Sequence, residues 1–106
     1  MGTQTRLGMI LTQEEIKRII FKLDAEGRDE ITMDLHKLTV KEAKRLIGNV
    51  IAIERGECNM NLIHGYNHGT AIRTMIMDDL NSPRIRAKSR EMRNPGLTRI
   101  KIACAA

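Results

Sequence analysis

One carboxylate and two histidines stand where alternating segments of this chain end. In Ile31-Thr32-Met33-Asp34-Leu35-His36 the apolar positions 31, 33 and 35 share one face. Asp34 and His36 therefore project together from the other face, because strand side chains repeat every two residues. An aspartate beside an imidazole is an acid/base pair: the carboxylate orients the ring, and the ring exchanges protons near neutral pH. Ile63-His64-Gly65 brings a second imidazole to a second strand end, followed by a polar loop, Tyr66-Asn67-His68-Gly69, and a helix start at Thr70. Gly65 and Gly69 let backbone approach a ligand closely, and Asn67 tolerates the left-handed conformation. A helix start offers unpaired amides and the positive end of a dipole, both suited to phosphate. Asp34, His36 and His64 are the catalytic candidates, and His68 reads as an exposed, replaceable loop residue.

The elements that must carry these residues follow from periodicity and capping. Thr12-Gln13-Glu14-Glu15 forms a capping box, and Ile16, Ile19, Ile20 and Leu23 recur at helical spacing before Gly27, which predicts a first helix over 13–25. Residues 1–11 carry no strong signal and read as a flexible tail. A strand over 31–36 precedes a second capping box, Thr39 to Glu42, whose helix has an apolar stripe at Val40, Ala43, Ile47, Val50 and Ile51 and stops at Gly56. A strand over 58–64 follows, then a helix over 70–80 with Ile72, Met75, Ile76 and Leu80 inward, blocked at Pro83. Strands over 85–90 and 97–104, joined at Asn94-Pro95-Gly96, complete the order. The expected fold class is α/β: a two-layer sandwich with a mixed four-stranded sheet, two packed helices and an N-terminal helix extension over 12–29.

Composition sets the outer bounds. A chain of 106 residues makes one domain that buries roughly two-thirds of its unfolded surface without staples. No apolar run reaches the roughly 18 residues of a membrane span, and Leu7 to Leu11 is too short for a signal-peptide core, so a cytoplasmic location is expected. Cys58 and Cys104 lack metal-ligand spacing and read as reduced core thiols. The net charge of +5 is concentrated at one end: residues 84–106 hold seven basic side chains and one acid, a local +6. Such a patch is the footprint of a phosphate-backbone binder, or else a charged edge that resists sheet-to-sheet aggregation. Arg86, Lys88 and Arg90 alternate, which would align them on one strand face. With only Phe21 and Tyr66 as aromatics, a base-stacking platform is not expected.

Four of these segments, in register, resemble a known family. Asp34-Leu35-His36 with Thr39-Val40-Lys41-Glu42-Ala43, then Leu62-Ile63-His64-Gly65, then Gly69-Thr70-Ala71-Ile72-Arg73, then Asn94-Pro95-Gly96-Leu97-Thr98 are similar to the Smr (small MutS-related) domain from about Thr32 to Ile102. The resemblance implies a βαβαββ sandwich over residues 30–106 that binds or cleaves DNA or RNA. It puts the family's Asp-x-His motif on Asp34 and His36 and its His-Gly motif on His64 and Gly65. Two departures stand out. Lys37 replaces the glycine that commonly follows Asp-Leu-His, and the loop after His64 is one residue longer, with Gly69 standing in for a family glycine.

If the chain is an endonuclease, its residue types limit the route. A two-metal site needs several converging carboxylates, and Asp34 is alone among the motif strands, so no metal or other cofactor is expected. One imidazole would accept a proton from the attacking hydroxyl and the other would donate one to the leaving oxygen, with Lys37, Gly65, Asn67, Gly69, Thr70 and Arg73 holding phosphate and Arg86, Lys88 and Arg90 the flanking backbone. The 2′-hydroxyl slightly favours RNA. Two alternatives stay open: a non-catalytic module on structured RNA, branched DNA or ribosomes, within which a DNA-repair partner also falls, and a protein-interaction domain. A monomer is expected, with no membrane partner.

Overall fold

The computed structural model describes residues 3–65 and 70–105. Helix α1 (Thr3–Ile10) and the one-turn helix α2 (Gln13–Lys17) precede strands β1 (Ile19–Leu23) and β2 (Asp29–Asp34). Helix α3 (Val40–Ile53), strand β3 (Cys58–Ile63), helix α4 (Thr70–Thr74, continued to Asp79 as a π-turn) and strands β4 (Ile85–Arg90) and β5 (Leu97–Ile102) follow. The fold is α/β, and its mixed sheet has five strands in the order β1-β2-β3-β5-β4, one more than the sequence led us to expect. Among the described residues only β2 and β3 are parallel neighbours; the other three pairs are antiparallel.

The extra strand comes from the segment expected as the C-terminal half of a first helix. Thr12 and Glu15 do form a reciprocal capping box, but the helix they open stops at Lys17. Ile19-Ile20-Phe21 then runs as β-structure, where β-branched and aromatic side chains fit a pleated surface better than a helix. Gly27 turns a hairpin rather than ending a helix: its φ is +81°, and Asp24 Oδ1 accepts from the amides of Glu26 and Arg28, each at 2.9 Å. Within the segment expected as a flexible tail, the described residues from Thr3 to Ile10 form α1, which carries Leu7 into the core at 2% exposure, with Leu11 beside it.

One face of the sheet is packed and the other is open. Ile31, Met33 and Leu35 of the β2 segment, Met60 and Leu62 of β3, and Ile100 and Ile102 of β5 are buried against Ala43, Leu46, Ile47, Val50 and Ile51 of α3 and Ile72, Met75 and Ile76 of the α4 segment. Val40, expected in the α3 stripe, is exposed, and Leu46 takes part instead. Truncating a fully buried leucine such as Leu46 to Ala costs about 2–5 kcal/mol. Cys58 is buried, and burial pushes its thiol up to about 12. Cys104 lies outside the core, exposed, because β5 ends at Ile102 rather than at 104.

The open face is a ladder with two polar rungs and a third that is mostly apolar. Registers place Glu30, Asn59 and Lys101 side by side, then Thr32, Asn61 and Arg99, then Asp34, Ile63 and Leu97. Asn61 is buried here and donates to Glu30 Oε1 at 2.7 Å and to Thr32 Oγ1 at 3.3 Å. A concavity of about 640 Å³ lies over the first two rungs.

Candidate functional site

The C-terminal ends of the parallel pair β2–β3 form the place where the sequence located its chemistry. Ligands of open α/β sheets sit outside such ends. The His36 imidazole contacts Asp34 through Nδ1 and Oδ1, and the same carboxylate oxygen accepts from the His36 amide at 3.2 Å. Both side chains are partly open to solvent, His36 by half. Arg18 fixes the turn from behind: its Nη1 donates to the carbonyls of Asp34 (3.0 Å) and His36 (2.9 Å). Lys37 completes the turn with φ +69°, a left-handed conformation that costs an L-residue with a side chain roughly 1–2 kcal/mol. A glycine would sit here without that cost.

His64 lies one residue past β3 and on the other side of the sheet. Asp34 is paired with Ile63, so those two share the open face and His64 turns toward the helices. It is 2% exposed. Nδ1 stands 2.9 Å from the Gly65 carbonyl and Nε2 2.9 Å from Thr98 Oγ1. A carbonyl only accepts, so Nδ1 carries the proton and Nε2 accepts the threonine hydroxyl. Burial holds the His64 pKa below its ordinary value, and the charges of Arg73 and Arg90 push the same way against the Gly65 hydrogen bond. The three catalytic candidates are thus split: Asp34 and His36 form a pair, while His64 is a neutral imidazole with both nitrogens occupied. Gly96 ties this end together, its carbonyl accepting from the amides of His64 (2.9 Å) and Gly65 (3.1 Å). A Cβ at Gly96 would meet the Gly65 backbone at 3.2 Å.

The basic residues divide as well. A bulge between Ile85 and Ala87 breaks the alternation of β4, so Arg86, Lys88 and Arg90 do not line one face. Lys88 pairs with Ile100 and Arg90 with Thr98, on the helix side. The Lys88 ammonium caps a helix end, donating to the carbonyls of Leu80 (2.6 Å) and Met77 (3.2 Å). Arg84 clamps the carbonyls of Ala103, Ile51 and Gly56. Arg99 pairs with Glu91 at 3.1 Å. Arg73 and Arg90, both near enough to His64 to perturb it, have no carboxylate partner among the described residues. Arg86 and Lys101 border a concavity of about 330 Å³ on the sheet's far end, away from His36. Gly65 has φ +86° and Thr70 opens α4; Asn67 and Gly69 lie outside the described residues.

Arg18, Gly96 and Thr98 are the positioning residues that sequence reasoning passed over. Arg18 falls inside the helix that the sequence predicts over 13–25; Gly96 and Thr98 belong to the Asn94–Thr98 segment of the resemblance, where Gly96 signals a turn and Thr98 reads as any strand threonine. No group of three or more metal-ligating side chains occurs among the described residues. No helix among them is long and apolar enough to cross a membrane. Comparisons with protein-family models, with curated proteins and with solved structures return no match. The functional reading rests on the site.

Proposed function

We propose that the chain is a nucleic-acid-binding domain of the Smr type that cleaves RNA through one general base, His36. The observation that carries this reading is the Asp34–His36 contact at the ends of the parallel strands. With Nδ1 held by the carboxylate, Nε2 is the basic nitrogen, and no described residue occupies it. Nε2 takes the proton of a 2′-hydroxyl as that oxygen attacks the adjacent phosphorus; the P–O5′ bond breaks, a 2′,3′-cyclic phosphate forms, and the departing 5′-oxygen takes its proton from solvent. Lys37 stands next to the base and supplies charge to the phosphate, while Arg73 and Arg90, on the helix side by His64, add a longer-range positive field for the flanking backbone. Asn67 and Gly69 would add loop contacts, and Arg86 a more distant one. The order β2-α3-β3-α4-β4-β5 agrees with the βαβαββ arrangement of the resemblance and supports the same reading. A cytoplasmic setting is part of the proposal.

A second reading, binding without turnover, is favoured by His64. A buried imidazole with both nitrogens engaged gives no proton to a leaving oxygen, so the two-histidine route lacks its acid. One assay separates the readings: end-labelled single-stranded RNA, supercoiled plasmid and branched DNA incubated with and without EDTA, using the native chain and His36→Ala. RNA cleavage that survives EDTA and vanishes in the variant is the expected result. Salt-dependent binding with no cleavage selects the second reading. Failure to bind any of the three overturns both.

A further inference from the structure

The two edges of the sheet are built differently, and the difference concerns partners. At the β4 edge the bulge interrupts the ladder, and exposed Arg86 and Arg90 line the strand. Bulges and cations are how edge strands refuse additional strands. The β1 edge has no bulge and a single cation, Lys22; of Ile19-Ile20-Phe21-Lys22-Leu23, Ile20 is 52% and Leu23 67% exposed.

The β1 backbone groups that face outward can be assigned. Asp34 N donates to Arg18 O and Asp24 N to Arg28 O, each at 2.8 Å. Both bonds obey the register in which Ile20 pairs with Thr32 and Lys22 with Glu30. Hydrogen-bonded pairs alternate along an antiparallel ladder. Arg18, Ile20, Lys22 and Asp24 therefore spend their amides and carbonyls on β2. Ile19, Phe21 and Leu23 present theirs to the edge.

We propose that this edge takes a second copy of the same chain, β1 against β1 in antiparallel register centred on Phe21. In that register Ile19 faces the partner's Leu23, Phe21 the partner's Phe21, and Leu23 the partner's Ile19. All three outward-facing residues meet one another, so every edge amide and carbonyl of both strands is paired and none is left over. Ile20 then lies opposite the partner's Lys22, and no like charges oppose each other. A two-fold axis makes the surface self-complementary and closes it. The sheet becomes continuous across ten strands, and the two open faces lie on one side. Five residues a side make a small interface, so the dimer is a concentration-dependent equilibrium.

Amide hydrogen exchange as a function of protein concentration tests the register directly. Exchange at Ile19, Phe21 and Leu23 slows as concentration rises, while Ile20 and Lys22, already bonded to β2, do not change. Ile20→Lys sets two lysines opposite each other twice per dimer and weakens association about tenfold, whereas Ile20→Glu pairs with Lys22 and does not weaken it. Sedimentation velocity reads both variants, and circular dichroism checks that they fold. A native chain that stays monomeric at millimolar concentration overturns the proposal. So does protection at β4 instead of β1, or equal weakening by the two variants.

Discussion

Two adjacent parallel strands of this molecule end in histidine, and the two rings have opposite fates. His36 stands in solvent with a carboxylate on one nitrogen, whereas His64 is sealed between Thr98 and the Gly65 carbonyl. The cause is one residue of phase. Asp34 and Ile63 are in register, so a histidine two residues past Asp34 returns to the open side, and one residue past Ile63 it turns to the core. A motif tells which residue types stand at a strand end. The pleat decides which of them can exchange a proton with a substrate.

The sharpest way to break this comparison is to make the same change at both ends. His36→Gln removes the proposed base and lowers RNA cleavage at least about 100-fold while leaving affinity intact. His64→Gln, which still offers a donor and an acceptor, keeps most of the rate. Equal losses, measured as single-turnover rates, would return His64 to the chemistry.

Stability separates the rings in the other direction. His64→Ala opens a cavity and strands the Thr98 hydroxyl, costing about 2–4 kcal/mol in urea unfolding; His36→Ala, at the surface, costs less than about 1 kcal/mol. Acid sharpens the contrast. The His64 pKa is lowered on folding from 6.5, so below that pH the unfolded chain binds a proton that the native state declines. The stability contribution is full above pH 6.5 and declines as pH falls toward the native value, by up to about 1.4 kcal/mol per pH unit. Urea titrations between neutral and mildly acidic pH detect it, and His64→Gln loses this component of the slope.

Charge gives the next smaller effect. Replacing Arg73 and Arg90 together by Ala reduces the salt slope of nucleic-acid binding by up to about two, while the same change at Arg86 alone alters it by no more than about one. Smallest of all, Lys37→Gly relieves a left-handed lysine and raises stability by roughly 1 kcal/mol, at the loss of one cation beside His36. A drop in melting temperature on that substitution would mean that Lys37 holds the turn by contacts rather than straining it.

Much of the frame was legible in the sequence because local and global signals agreed. The Thr39–Glu42 box, the stripe over α3, the inward set Ile72, Met75, Ile76 and Leu80, and the turn at Gly96 all point to the observed elements. The Asp34–His36 pair was legible too, since two-residue alternation is enough to place it. β1 was not, because Ile16, Ile19, Ile20 and Leu23 satisfy a helical period while Asp24 and Gly27 build a hairpin only in the company of β2. Nor could a charge count tell that Arg84 and Lys88 spend their charge on main-chain carbonyls. Leu7 and Leu11 gave only a single i, i+4 pair, too little to signal that α1 joins the core.

The position of β5 has a consequence for how the molecule comes together. It follows β4 in the chain yet lies inside it, between β4 and β3. Until Leu97–Ile102 docks, β3 has a partner on one side only and β4 has none. Its contacts with Cys58–Ile63 span more than thirty residues, so their closure entropy is met before they stabilise anything. Insertion of this strand is therefore expected to be late and cooperative, and the Gly96 grip on His64 and Gly65 forms with it. A chain cut short before Leu97 would keep the Asp34-Leu35-His36 sequence and hold a raw apolar edge on β3, prone to recruit other chains.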